Sequence, residues 1–117
     1  RDRAAPAGRA DHPLSTLSTH VLDAALGRPA AGMDVVLTLA DGSTTAVRTD
    51  DDGRARVDAE LPAGETTVRF ATGPWFTARG RDTFFPSVTV AVALPAGEHA
   101  HVALLLSPFA YTTYRGS

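Results

Sequence analysis

Residues 99–117 read HAHVALLLSPFAYTTYRGS, and the strand that opens this stretch decides the architecture. Successive side chains of a strand point to opposite faces, so His99, His101, Ala103 and Leu105 share one side and Ala100, Val102, Leu104 and Leu106 the other. Both sides are largely apolar, whereas a half-exposed antiparallel strand alternates apolar with polar residues. The side that carries two imidazoles is therefore expected to be covered too, most economically by another copy of the chain. Pro108 lacks a ladder donor and ends the strand. Residues 111–117 then form a polar hook of aromatic, hydroxyl and guanidinium groups, too specific in composition for a fraying end.

Working back from that strand, the same period of two recurs. Residues 86–94 put Val88, Val90, Val92 and Leu94 on one face, and Pro95-Ala96-Gly97 turns this strand into the next. Earlier strands are expected over 14–24, 33–40, 43–49, 54–60 and 66–72. They are separated by Gly27, Pro29 and Gly32, by the hairpin pair Asp41-Gly42, by Asp50-Asp51-Asp52-Gly53 and by Pro62-Ala63-Gly64. Residues 73–81, GPWFTARGR, break the period. Pro74 suits the first turn of a short helix and Gly80 its end. Seven or so short strands with closely spaced turns and one short helix read as an all-β antiparallel sandwich. Residues 1–13 hold Ala, Gly, Pro and charge without periodicity and read as a disordered leader or linker.

At 117 residues the chain is one domain. A net charge of −2, with every basic residue an Arg and no run of them, argues against nucleic acid or an anionic membrane as partner. The apolar run 102–106 is far shorter than the roughly 18 residues of a helical membrane span. The absence of Cys excludes disulfides and thiolate chemistry. Cytoplasm is the default compartment, with the periplasm left open.

Three imidazoles and one guanidinium stand out as chemistry: His20, His99, His101 and Arg54. Imidazole takes and returns a proton near neutral pH. Arg54, directly after the DDDG turn, offers a permanent cation that binds a planar polar ring or stabilises an oxyanion. The bland readings are a surface or satisfied core histidine and an exposed strand arginine. Two His two apart plus His20 also match a three-His zinc site, but no acidic second shell is identifiable. The Asp50–Asp52 run lacks the downstream Glu of a calcium loop and reads as a solvated turn. No nucleophile elbow, phosphate loop or dinucleotide fingerprint occurs, so hydrolysis here would use activated water.

Several blocks taken together resemble one family. LSTHVLD at 17–23, GRPA at 27–30, TDDDGR at 49–54, Phe84-Phe85-Pro86, HAHVALLLSP at 99–108 and YRGS at 114–117 are similar to the signature blocks of the 5-hydroxyisourate hydrolases, the transthyretin-related enzymes of urate degradation. The likeness runs in order from about residue 14 to the end. The resemblance implies a transthyretin-like sandwich of two antiparallel sheets with one short helix, assembled as a homotetramer, a dimer of dimers, with pockets in the channel between dimers. It implies hydrolysis of 5-hydroxyisourate to 2-oxo-4-hydroxy-4-carboxy-5-ureidoimidazoline without metal or other cofactor. By the same resemblance His20, Arg54 and His101 are catalytic, with either imidazole as the base, and Tyr114, Arg115, Gly116 and Ser117 close the pocket. Ala100, where a Tyr is common, and Ala103, where a Pro is common, depart from the pattern at positions without a role, and altered packing is the expected consequence.

Two other classes compete. A non-catalytic prealbumin-like spacer domain accounts for residues 27–70 but leaves the H-x-H strand and YRGS unexplained. A small-ligand carrier would share the channel without needing a proton shuttle.

Overall fold

A computed structural model describes residues 14–57 and 59–117, so the leader expected over 1–13 lies outside the described residues, as does Asp58 in the expected 54–60 strand. Along the described residues the elements run β1 (Thr16–Asp23), β2 (Arg28–Pro29), β3 (Asp34–Thr38), β4 (Thr44–Arg48), β5 (Arg54–Arg56), β6 (Gly64–Phe70), α1 (Thr72–Thr77), β7 (Val88–Leu94), β8 (His99–Ser107) and β9 (Ala110–Gly116).

The strands form the expected two-sheet sandwich. One sheet runs β2-β1-β8-β9, with β5 paired to β1 on the same edge as β2, and the other runs β4-β3-β6-β7. The period of two determines what lies between them. Leu17 and Val21 of β1, Val35 and Leu37 of β3, Val68 and Phe70 of β6, and Leu104 and Leu106 of β8 are fully buried in one cluster. Each such side chain contributes roughly 1.5–3 kcal/mol by leaving water. Val88 and Leu94 of β7 join them, with Val90 and Val92 packed alongside. The core face of β8 is the expected one, Ala100, Val102, Leu104 and Leu106.

Three features differ from the expectation. First, residues 111–117 are not an irregular hook. Ala110–Gly116 is a strand antiparallel to β8, from Ser107 opposite Ala110 to His101 opposite Gly116, and Pro108 and Phe109 form the tight turn between them. Thr and Tyr favour extended backbone, but on an edge strand they carry no apolar period to reveal it. Second, β1 and β8 pair in parallel, from Thr16 opposite His99 to Asp23 opposite Leu106, whereas all other strand pairs are antiparallel. The chain between them makes a full excursion through the second sheet, long enough for a parallel return. Third, the helix ends early, at Thr77, and Gly80, with φ 66, lies beyond it. Thr72, Trp75 and Phe76 are the side chains it buries.

The Asp41-Gly42 hairpin joins β3 to β4 as expected. In the Asp50–Gly53 turn the glycine is obligatory: φ is 76, and a Cβ there would overlap the Val21 carbonyl oxygen of β1. Close approach at Gly53 is what brings β5 onto β1.

Candidate active site

Residues opposite one another in a ladder share a face of the sheet, so the register assembles the site. Ser18 lies beside His101 and His20 beside Ala103. β5 adds Arg56 to Ser18 and Arg54 to His20. β9 adds Gly116 to His101 and Tyr114 to Ala103. One rung therefore reads Arg56, Ser18, His101, Gly116, and the next Arg54, His20, Ala103, Tyr114. Both lie on the face turned away from the core, because Thr16, Ser18 and His20 alternate with buried Leu17, Thr19 and Val21.

The Asp50–Gly53 turn fixes the first imidazole. The Asp50 carboxylate accepts the amides of Asp52 and Arg54, each at 2.9 Å, which folds the turn over the outer end of β5. The Asp52 carbonyl is thereby held 3.0 Å from His20 Nε2. A carbonyl only accepts, so Nε2 carries the hydrogen and Nδ1 is left for another partner. The carboxylate of Asp50 is thus engaged with backbone amides, in keeping with a turn and not a calcium loop.

The second imidazole is held from its other side. Ser18 Oγ lies 2.7 Å from His101 Nδ1 and 2.8 Å from His99 Nε2, and Thr16 Oγ1 lies 2.6 Å from His99 Nδ1. The His20 and His101 ring centroids are 6.5 Å apart. Partial burial, then the charges of His20, His99 and Arg54, push the His101 imidazole below its usual value, so its neutral form dominates at neutral pH. Gly116 is part of the same packing, since a Cβ there would overlap His101 Cδ2.

His101 borders two hollows. One, of about 340 Å³, is lined by Ser18, Asp50, Arg54 and Arg56 among others. The second, of about 290 Å³, lies towards Val90, Val92 and Tyr114. Taken residue by residue, His20, Arg54, His101, Tyr114 and Gly116 gather on one face. Ser117 follows the end of β9 and is exposed. Arg115 alternates to the other face of β9 but lines the second hollow with His101 and Tyr114. It stands opposite Val102, on the core-side face, with Nη2 3.5 Å from Glu98. His20, His99 and His101 do not converge on a point: among the described residues no three His, Cys, Asp or Glu side chains are arranged to hold an ion.

The reading of the residues omitted Ser18, Thr16 and Arg56. Ser18 sits two before His20 and so had to share its face, but contact with His101 depends on the parallel register, which has no local signature.

The HIUase/Transthyretin family model matches residues 17–116. The 5-hydroxyisourate hydrolase of Caulobacter vibrioides is 42% identical over 115 residues, covering 89% of this chain and 100% of that protein. Among solved structures, 5-hydroxyisourate hydrolase of Klebsiella pneumoniae superposes with a TM-score of 0.81 at 37% identity, covering 89% of this chain and 100% of that one. Sea bream transthyretin in complex with thyroxine superposes with a TM-score of 0.74 at 32% identity, covering 86% of this chain and 93% of that one.

Proposed function

The chain belongs to the HIUase/Transthyretin family, and from that premise we propose that it is a 5-hydroxyisourate hydrolase, opening the six-membered ring to 2-oxo-4-hydroxy-4-carboxy-5-ureidoimidazoline. The observation that carries this reading is the pair of imidazoles 6.5 Å apart beside a guanidinium on one sheet face. A carrier of flat ligands has no use for a neutral base next to a fixed cation.

Water attacks the ring carbonyl beside the labile carbon–nitrogen bond. His101, uncharged at neutral pH, takes a proton from the attacking water through Nε2. The carbonyl oxygen becomes an oxyanion, and Arg54 donates to it from the next rung. As the carbon–nitrogen bond breaks, the imidazole pair returns a proton to the departing nitrogen, leaving the new carboxyl group on the carbon that was attacked. Tyr114, Gly116 and Ser117 bound the pocket on the β9 side. Arg115 borders the second hollow beside His101 and Tyr114, with Glu98 3.5 Å from its Nη2.

The outer face itself needs a cover. Leu22 and Leu105 stand half-buried there beside Ala103, and β9 is an edge strand with an unpaired row of backbone groups. Both features support assembly as a dimer of dimers, with the pocket closed by a second chain.

The decisive experiment generates 5-hydroxyisourate from urate with urate oxidase, adds the protein, and follows the ultraviolet absorbance of the intermediate with and without a chelator. Accelerated decay that survives chelation is the expected result. Saturable binding with no acceleration would instead make the protein a carrier.

A further inference from the structure

The hydrogen-bonded chain Thr16, His99, Ser18, His101 lies behind the proposed base and has no part in the reaction as written above. All its links are short: 2.6 Å from Thr16 Oγ1 to His99 Nδ1, 2.8 Å from His99 Nε2 to Ser18 Oγ, and 2.7 Å from Ser18 Oγ to His101 Nδ1. Its end members differ in exposure. His99 is exposed at the start of β8, and His101 is half-buried.

A neutral imidazole has one hydrogen, and which nitrogen holds it follows from what the other nitrogen meets. A hydroxyl has one hydrogen but can accept two. For His101 to offer an unprotonated Nε2, its hydrogen must sit on Nδ1 and be donated to Ser18 Oγ. Ser18 then has its own hydrogen to place, and His99 Nε2 is within reach to accept it. The His99 hydrogen is left on Nδ1, where Thr16 Oγ1 accepts it. Every link is satisfied when all run in this direction, as it also is when all are reversed, but only this direction leaves His101 Nε2 bare, and the chain then ends at the Thr16 hydroxyl. A free imidazole in water favours the opposite tautomer, with hydrogen on Nε2, which would present a donor where the reaction needs an acceptor.

We infer that Ser18, backed by His99, is a positioning residue that holds His101 in the Nδ1–H tautomer and so leaves Nε2 as the acceptor. The inference rests on the assignment of His101 as the base, and it extends that assignment to two residues that do not touch substrate. The same geometry confines the His101 ring between the Ser18 hydroxyl and Gly116, whose missing side chain gives Cδ2 its room. The other charged or titratable groups at neighbouring positions are His20 on β1, Arg54 and Arg56 on β5, and Tyr114 and Arg115 on β9. The carboxylate of Glu98 lies towards Arg115. None of these groups takes His101 Nδ1, so none can replace Ser18.

The test is nitrogen-15 NMR of the histidine side chains in the whole protein, which reads the tautomer without reference to turnover. In the parent protein His101 is expected to show Nδ1 protonated and Nε2 bare above its titration. In Ser18→Ala the Nε2–H tautomer is expected to become the major one, and in Ser18→Thr, which keeps the hydroxyl, the parent pattern returns. The same three proteins are then assayed. Ser18→Ala is expected to lower kcat about ten- to a hundredfold with KM little changed, and Ser18→Thr to restore most of it. Nε2–H as the major tautomer in the parent protein, or an unchanged tautomer in Ser18→Ala, overturns the inference even if the hydrolase activity is real. Parent-like tautomers with no activity in any of the proteins would leave Ser18 in its place and remove the proposed reaction instead.

Discussion

The His20 and His101 rings stand 6.5 Å apart, centre to centre, with their planes tilted by 42°, too far for a hydrogen bond to each other and close enough to grip one small molecule between them. The His101 imidazole is held below its usual value, first by burial and then by His20, His99 and Arg54. Since the base must be neutral, kcat/KM is expected to rise with pH through that lowered value and to be flat by neutral pH. Arg54→Gln removes a charge that opposes the imidazolium, so the acid limb shifts to higher pH. It also removes the oxyanion donor, so the plateau falls by about a hundredfold. His101→Ala removes the limb and lowers turnover by about a hundredfold or more, with melting temperature close to the parent's because the ring lies outside the main core. A pH profile that keeps the same limb in both variants would sink the assignment.

Acid stability turns on a different pair. Asp23 is 1% exposed, and Arg81 Nη1 meets its Oδ2 at 2.6 Å, while its Oδ1 accepts the amides of Leu26 and Ala25. Burial alone would raise this carboxyl, but the Arg81 hydrogen bond and charge with the two amides outweigh it and hold it below its ordinary value. A carboxylate with a lowered native pKa stabilises the fold above its unfolded value of about 3.9, and that contribution fades as pH drops through the native value. Asp23→Asn is expected to lower stability by about 2–3 kcal/mol at pH 7 and to flatten the acid decline of stability below about pH 5. Urea unfolding at a series of pH values measures both. An equally steep acid decline in the variant would move the effect to other carboxylates.

Much of this was legible from the chain and some of it was not, for physical reasons. The core face of β8 and the β3–β4 hairpin at Asp41-Gly42 follow from periodicity and turn chemistry, which are local. So does the face shared by His99 and His101. The grouping of His20 with His101 is not local: it needs the parallel register of two strands about eighty residues apart, and only the family resemblance offered it. Residues 110–116 failed to read as a strand because an edge strand of Thr and Tyr has no buried side to impose a period. The resemblance groups Arg115 with Tyr114 and Gly116; alternation along β9 turns it to the other face, where it reaches the second hollow from beside Val102.

Two glycines give opposite readouts. At Gly53 an added Cβ meets the Val21 carbonyl, which is backbone in the middle of β1, and φ is 76 besides. Gly53→Ala is therefore expected to cost about 2–4 kcal/mol and to loosen Arg54 with it. At Gly116 the added Cβ meets only the His101 ring, a side chain that can turn aside. Gly116→Ala should keep the melting temperature within a few degrees while turnover drops at least tenfold, because the displaced ring breaks from Ser18. Thermal melts and kinetics on the two variants decide the matter. The reverse pattern, with activity lost only alongside stability, would contradict the placement of Gly116 against the base.

Two buried threonines of the sandwich differ in whether the hydroxyl has a partner. Thr66 on β6 is fully buried, and among the described residues its hydroxyl has no hydrogen-bond partner. Thr72, at the start of α1, is equally buried, but its hydroxyl donates to the Phe85 carbonyl at 2.7 Å. Valine has nearly the shape of threonine without the polar atom, so the same substitution should act in opposite directions at the two sites. An unpartnered buried hydroxyl costs about 1–3 kcal/mol of desolvation, and Thr66→Val is expected to recover about 1 kcal/mol of it, raising the melting temperature by about 4 °C. Thr72→Val strands the Phe85 carbonyl and should lower stability by about 1–2 kcal/mol. Differential scanning calorimetry on the two variants measures the contrast. Equal destabilisation would mean that Thr66 has a bound water as partner, and that the space between the two sheets beside it is wetter than its apolar neighbours suggest.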